Sequence, residues 1–224
     1  MSEIRSRHGY QRTDLFKWDT HSRPGQVDRL RHLAAKEEAL ALLAEQNLVF
    51  LPVLVHHHVA ETKSKQTLVE WNANMAMRLW DNSLQTQDQD GVCILDRRPA
   101  GEEGAYLRGL FSRAPEETQG QDFSLKRTFL LGYTMDGASH LLSVLDIALG
   151  AFCYAINERR EERTRTAAKL LKTVVSAMWT LPTTDGALKF APGAYAFLPV
   201  RKKSPKVQAD YDELVRHWNR LMTH

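Results

Sequence analysis

Cysteine is scarce in this chain: two residues among 224, Cys93 and Cys153, both inside apolar runs and without CxxC spacing. That argues against a disulfide framework or a zinc knuckle, and leaves two buried thiols in a reducing compartment as the expectation. Long apolar runs are also missing. The opening MSEIRSRHGYQR is polar and reads as no signal peptide, while the longest apolar stretch, Leu141 to Ile156, is too short for a membrane span and is interrupted by Asp146. A soluble, cytoplasmic protein with no membrane partner is expected. There is no Gly-rich phosphate loop and no dinucleotide fingerprint. There is no Gly-x-Ser-x-Gly elbow either, and no cysteine in a polar setting beside a histidine, so the pattern argues against acyl transfer. Internal repeats and low-complexity segments are absent as well.

What is present is ordinary in bulk. Hydrophobic residues make up 43% and charged residues 25%, as in a soluble globular protein with one sizeable core. The formal net charge of +3 permits an anionic partner without arguing for one, because nucleic-acid binding needs clustered charge.

Residues 1–26 are polar and aperiodic, with Pro24-Gly25 as a breaker, and read as an N-terminal arm. From Val27 the apolar positions Val27, Leu30, Leu33, Ala34, Leu40, Leu43 and Ala44 recur at spacings of three and four, which predicts a helix. The run Leu48 to Val55 predicts a strand, at an edge or bulged because Pro52 removes a ladder donor. A helix follows with Leu68, Trp71, Met75 and Leu79 on one face, then a strand over Val92 to Leu95 closed by Asp96. A short helix is expected over Glu102 to Phe111, a loop over Ser112 to Asp122 and a strand from Arg127 to Leu131. Ser139 is suited to cap the long apolar helix that holds Asp146. Glu161 and Arg165 have the i,i+4 spacing of a helix-surface pair, and an amphipathic helix is expected around Tyr211 to Met222. Helices alternating with short strands predict an α/β layer with a small sheet over residues 27–180, followed by an extension over 181–224.

Two acids stand where acid is expensive. Asp146 lies inside an apolar helix and Asp96 closes a buried strand; an uncompensated buried carboxylate costs several kcal/mol or protonates. A divalent metal between them would satisfy both. The competing reading gives Asp96 to a strand-end ion pair with Arg97 or Arg98, and Asp146 to an arginine or a backbone donor.

DGVCILDR, followed after a spacer and a strand by SHLLSVLDIALGAFCYAIN, resembles the bacterial family of domain of unknown function 3800. Ser139, Leu142, Asp146 and Gly150 match its Ser-x-x-Leu-Gln-x-Ala-Asp-hydrophobic-x-x-Gly helix, and Asp96 matches its strand aspartate. The likeness runs less specifically from Val27 to Asn157 and does not cover the tail. It implies a ribonuclease-H-like small sheet with flanking helices and a divalent-metal-dependent phosphodiesterase, nuclease-like, acting on nucleic acid. Asp96 and Asp146 would be catalytic metal ligands for Mg²⁺ or Mn²⁺, with Asp136 a third, although Asp136-Gly137 reads first as a turn. The pattern departs from the family at Ser143, where glutamine is usual, and at Leu145, where alanine is. The strand carrying Asp-Glu-Ser-Gly with which the family opens has no counterpart, so the implied layer lacks its opening strands.

His56 and His58 would share a face if the strand continued through them, and stand as candidate helpers at the acidic pair; a polar strand end is the plain alternative. In RKKSPK, Arg201, Lys202, Lys203 and Lys206 could contact phosphates, or form a solvated tail. Trp179, Tyr195 and Phe197 could stack on bases or pack on a core. The second functional reading is a non-catalytic scaffold or binding module of the same fold that engages a protein or nucleic-acid partner, or a second copy of itself.

Overall fold

The computed structural model describes residues 1–96, 125–134, 139–182, 184, 188–199 and 204–224. In chain order the described helices are α1 (Ser2–Arg7), α2 (Arg29–Glu45), α3 (His57–Thr62), α4 (Lys65–Thr86), α5 (His140–Asn157), α6 (Thr164–Val175) and α7 (Pro205–Thr223). The strands are β1 (Val53–Val55), β2 (Gly91–Asp96), β3 (Thr128–Thr134), β4 (Thr180–Pro182), β5 (Leu188–Phe190) and β6 (Ala196–Leu198). The chain is mixed α/β, mostly helical, and divides into two compact units. One comprises Met1–Phe50, Met135–Met178 and Ser204–His224; the other comprises Leu51–Thr134 and Trp179–Lys203.

The first unit is helical and organised on α5, which packs against α2, α6 and α7. Ser139 caps α5 as expected, its hydroxyl accepting from the Leu142 amide at 3.5 Å. The inward face of α5 carries Val144, Ile147, Ala148, Ala151, Phe152, Ala155 and Ile156, all buried. Its alanines let neighbouring helices approach, and Phe152 fills the space beyond them, edge-on to Phe50 at 5.8 Å and to Trp218 at 5.4 Å. α5 is also, among the described residues, the helix long and apolar enough to cross a membrane. One face packs on α2, α6 and α7, while Leu141, Leu145 and Leu149 on the other are exposed. Residues 1–26 belong to this unit: Tyr10 and Phe16 are buried, and Arg5 donates to the carbonyls of Gln11 and Arg12 and also to that of Asp14. The pair expected between Glu161 and Arg165 does not share a helix turn, because Glu161–Arg163 is a 3-10 turn and α6 starts at Thr164.

The second unit holds three separate two-stranded pairs among the described residues. β1 and β6 are parallel, with Val53 opposite Ala196; β4 and β5 are antiparallel, with Thr180 opposite Phe190. β2 and β3 are parallel, Gly91 opposite Thr128 and Asp96 opposite Thr134, with an irregularity between Gly91 and Val92. A side chain at position 91 would collide with α4, since a Cβ there would lie 2.6 Å from Trp80 and 2.8 Å from Leu84. β1 is shorter than the run Leu48 to Val55: it begins directly after Pro52, while Phe50 makes only an isolated bridge to Met178 in the first unit. A small cluster of Trp179, Ala191 and Ala194, with Leu51 and Phe190 against it, forms one core of this unit. The helix expected over Glu102 to Phe111 and the loop over 112–122 lie outside the described residues.

Candidate functional site

Asp146 is at the edge of the buried face of α5, half-buried, and its neighbours Leu145 and Leu149 are exposed. The full burial expected of it is therefore partial. Its partner is a backbone group 128 residues away: Oδ2 accepts the Trp18 amide N–H at 2.7 Å. The carbonyl of the same residue accepts from Lys36 Nζ, whose ammonium also lies 4.7 Å from the centre of the Trp18 indole. Trp18 then lies directly on Gly150, where a Cβ would stand 2.0 Å from Trp18 Cγ, and its ring tilts against Tyr154 at 6.3 Å. Asp146, Gly150 and Tyr154 are spaced by four, so one stripe of α5 supplies the acceptor, the space and the aromatic wall for one tryptophan.

Beneath this clasp, α2 contributes two buried polar residues a turn apart. Lys36 is 4% exposed, and burial brings its ammonium down from 10.5 to about 8, with Asp19 and Asp146 opposing the fall. His32 is 1% exposed and accepts from or donates to the Tyr10 hydroxyl through Nδ1; its Nε2 has no hydrogen-bond partner among the described residues. Burial foremost, then the charges of Lys36 and Arg23, hold the imidazole down at about 4, so it is neutral at pH 7. Tyr10 in turn is pushed up to about 12, mainly by burial.

Asp96, the other expected ligand, ends β2 in the second unit. It stands at the carboxyl end of its strand, as expected, but that strand is not the buried one expected, since Val92 is 40% and Ile94 59% exposed, and Asp96 and Asp146 belong to different units. His56 and His58 do not sit at alternate positions of a strand, which corrects their expected pairing. The strand stops at Val55, His56 is the N-cap of α3, and His58 lies within that helix, because the His56 carbonyl accepts from the amides of Val59 and Ala60 and turns the chain. His56 is buried, its ring stacked on His57 at 4.7 Å and edge-on to Phe197 at 6.3 Å. Nor do the β1 end and the β2 end lie in one sheet, since β1 pairs with β6 and β2 with β3. Asp136 and the basic residues Arg201, Lys202 and Lys203 lie outside the described residues, as do Arg97 and Arg98. Lys206 is exposed in the first turn of α7. Trp179 is in the core cluster and Phe197 meets His56, which are packing roles.

Two polar residues of weight escaped the sequence reading. Lys36 and His32 interrupt the inward face of α2 as Asp146 interrupts α5, and that interruption was the available signal. Asp81 gave a similar one on α4: it is fully buried and accepts from the amides of Lys126 and Arg127, at 3.0 and 2.8 Å, from the Gln85 side chain and from the Thr128 hydroxyl. No protein-family model, curated protein or solved structure matches the chain.

Proposed function

We propose that the chain is a non-catalytic binding module, in which Asp146 holds the chain's own N-terminal segment instead of a metal ion. The observation that carries this reading is the 2.7 Å hydrogen bond from the Trp18 amide to Asp146 Oδ2. A carboxylate engaged by a backbone N–H has an acceptor's demand met by a protein group, and its attraction for the Lys36 ammonium offsets part of what burial takes from that charge. The α/β layer is read as ribonuclease-H-like, on the support of the parallel β2–β3 pair with Asp96 at its carboxyl end. The two thiols are not the buried pair expected, Cys93 being half-buried and Cys153 exposed, but as free thiols they support a cytoplasmic setting.

Mn²⁺ calorimetry and thermal melts on the parent, Asp96→Asn and Asp146→Asn test the proposal. We expect no specific Mn²⁺ binding by the parent and a melting temperature lowered by a few degrees in Asp146→Asn, roughly the effect of losing about 1 kcal/mol. Mn²⁺ binding that is lost in Asp146→Asn and in Asp96→Asn, with the melting temperature unchanged, would overturn the module. It would instead support the metal-dependent nuclease, with nucleic acid as its substrate.

A further inference from the structure

The Trp18 clasp lies in a segment anchored at both ends. Phe16, 2% exposed, and Val27, fully buried, anchor the chain on either side, while residues 17–26 between them are half-buried or exposed. Within that span Asp19 accepts from the His21 amide at 2.9 Å and the Ser22 hydroxyl donates to the Asp19 carbonyl at 2.7 Å, bonds that travel with the segment. Arg23 bonds the Val27 carbonyl at the anchor. Trp18 ties the span to α2, through Lys36, and to α5, through Asp146 and Gly150, while Gln26 at its far end donates to Asp14 at 2.7 Å.

That tie encloses an ammonium. We propose that residues 17–26 form a strap whose closure over Lys36 is weakest while Lys36 is protonated and strengthens as Lys36 loses its proton. The groups facing Lys36 are the Trp18 carbonyl and ring and Asp19 from the strap, His32 from its own helix, and Asp146 from α5; Arg23 and Tyr10 face His32. Asp146 and Asp19 attract the charge but leave it buried, and burial outweighs them, since Lys36 titrates near 8 in the closed form against 10.5 in water. Linkage sets the sign. The closed strap binds the proton less tightly than the open one, so raising the pH from 7 to 10 favours closure, by about 70-fold at most. Opening uncovers the Asp146–Gly150–Tyr154 stripe of α5. The strap does not depend on the binding-module reading, and would stand if that stripe served another purpose.

Hydrogen exchange at the Trp18 amide, followed from pH 7 to 10 and corrected for intrinsic rates, tests the strap on the full chain. We expect its protection to rise tenfold or more, and to be nearly insensitive to low urea, unlike that of α6 amides, as a local opening requires. Lys36→Met should remove the rise. Asp146→Asn, which takes an attracting anion from Lys36, should shift the rise to lower pH, and it serves where Lys36→Met does not fold. Protection that is flat or falling across this range overturns the strap. So does a rise that survives in Lys36→Met, a midpoint unmoved in Asp146→Asn, or a Trp18 amide that exchanges only with the urea sensitivity of α6.

Discussion

At the scale of single residues, the chain uses carboxylates to hold backbone that has no ladder partner. Asp81 does so from α4 and Asp146 from α5, each across a long sequence separation. The two differ in depth. Asp81 has no exposed surface and collects the Lys126 and Arg127 amides, the Thr128 hydroxyl and the Gln85 side chain, fixing where β3 begins. Asp146 is half-buried and collects one amide. Removing an acceptor from buried donors costs their desolvation, about 1–3 kcal/mol for each donor left unpaired. Asp81→Ala should therefore cost about 3–5 kcal/mol in urea unfolding, and Asp146→Ala about 1–2 kcal/mol. Equal losses in the two variants would show that depth does not govern the effect.

At the scale of elements, α5 shows how much could be read from sequence and where reading stopped. Its extent, its Ser139 cap and the oddity of Asp146 followed from periodicity and side-chain chemistry. The partner of Asp146 did not, because a backbone N–H carries no sequence signature and Trp18 is brought to it only by the tertiary fold. α2 was located by the same periodicity, and Leu40 and Leu43 are buried as expected, but its first turns present a different face. Leu30 and Leu33, expected inward, are 78% and 44% exposed, while His32, Ala35, Lys36 and Ala39 are buried. A pattern that counts only apolar residues cannot register a lysine whose stem packs inward while its ammonium finds a carbonyl. The strand through Leu48 to Val55 failed for a local reason, Pro52, and its shortening left positions 56 and 58 outside the strand. Gly150 offers an element-level test. Alanine normally stabilises a helix interior by about 1 kcal/mol relative to glycine. Here a Cβ would meet Trp18 Cγ at 2.0 Å, so Gly150→Ala should cost about 1–3 kcal/mol. With Trp18→Ala already present the obstacle is gone, and the same change should become stabilising. Failure of the sign to reverse in that double-mutant cycle would remove Trp18 from the account.

At the scale of the whole molecule, four buried groups of the first unit should write themselves into the dependence of stability on pH. His32 is held down at about 4 from an ordinary 6.5, so between those values the unfolded chain takes a proton that the folded chain refuses. Stability is then complete above 6.5 and falls as the pH drops toward 4, by about 3 kcal/mol at most. Below that, Glu158, held down to about 2 chiefly by its hydrogen bonds from Arg160, extends the loss as it protonates. Lys36 has the same sign at a higher range. Its folded value of about 8 lies below 10.5, so stability should rise as the pH climbs between them, again by about 3 kcal/mol at most. Tyr10 then reverses the trend: raised to about 12, it keeps its proton in the folded chain while the unfolded chain ionises from 10 upward, and stability falls. Most soluble domains have passed their maximum by pH 8. This one should still be gaining stability there, with its optimum displaced toward pH 10. Urea unfolding at intervals from pH 4 to 11 would trace the curve. His32→Gln should flatten only the limb between 4 and 6.5, and Lys36→Met only the rise between 8 and 10.5. A parent curve that falls steadily from pH 8 would mean that Lys36 reaches water in the folded chain, and the strap would already be open at neutral pH.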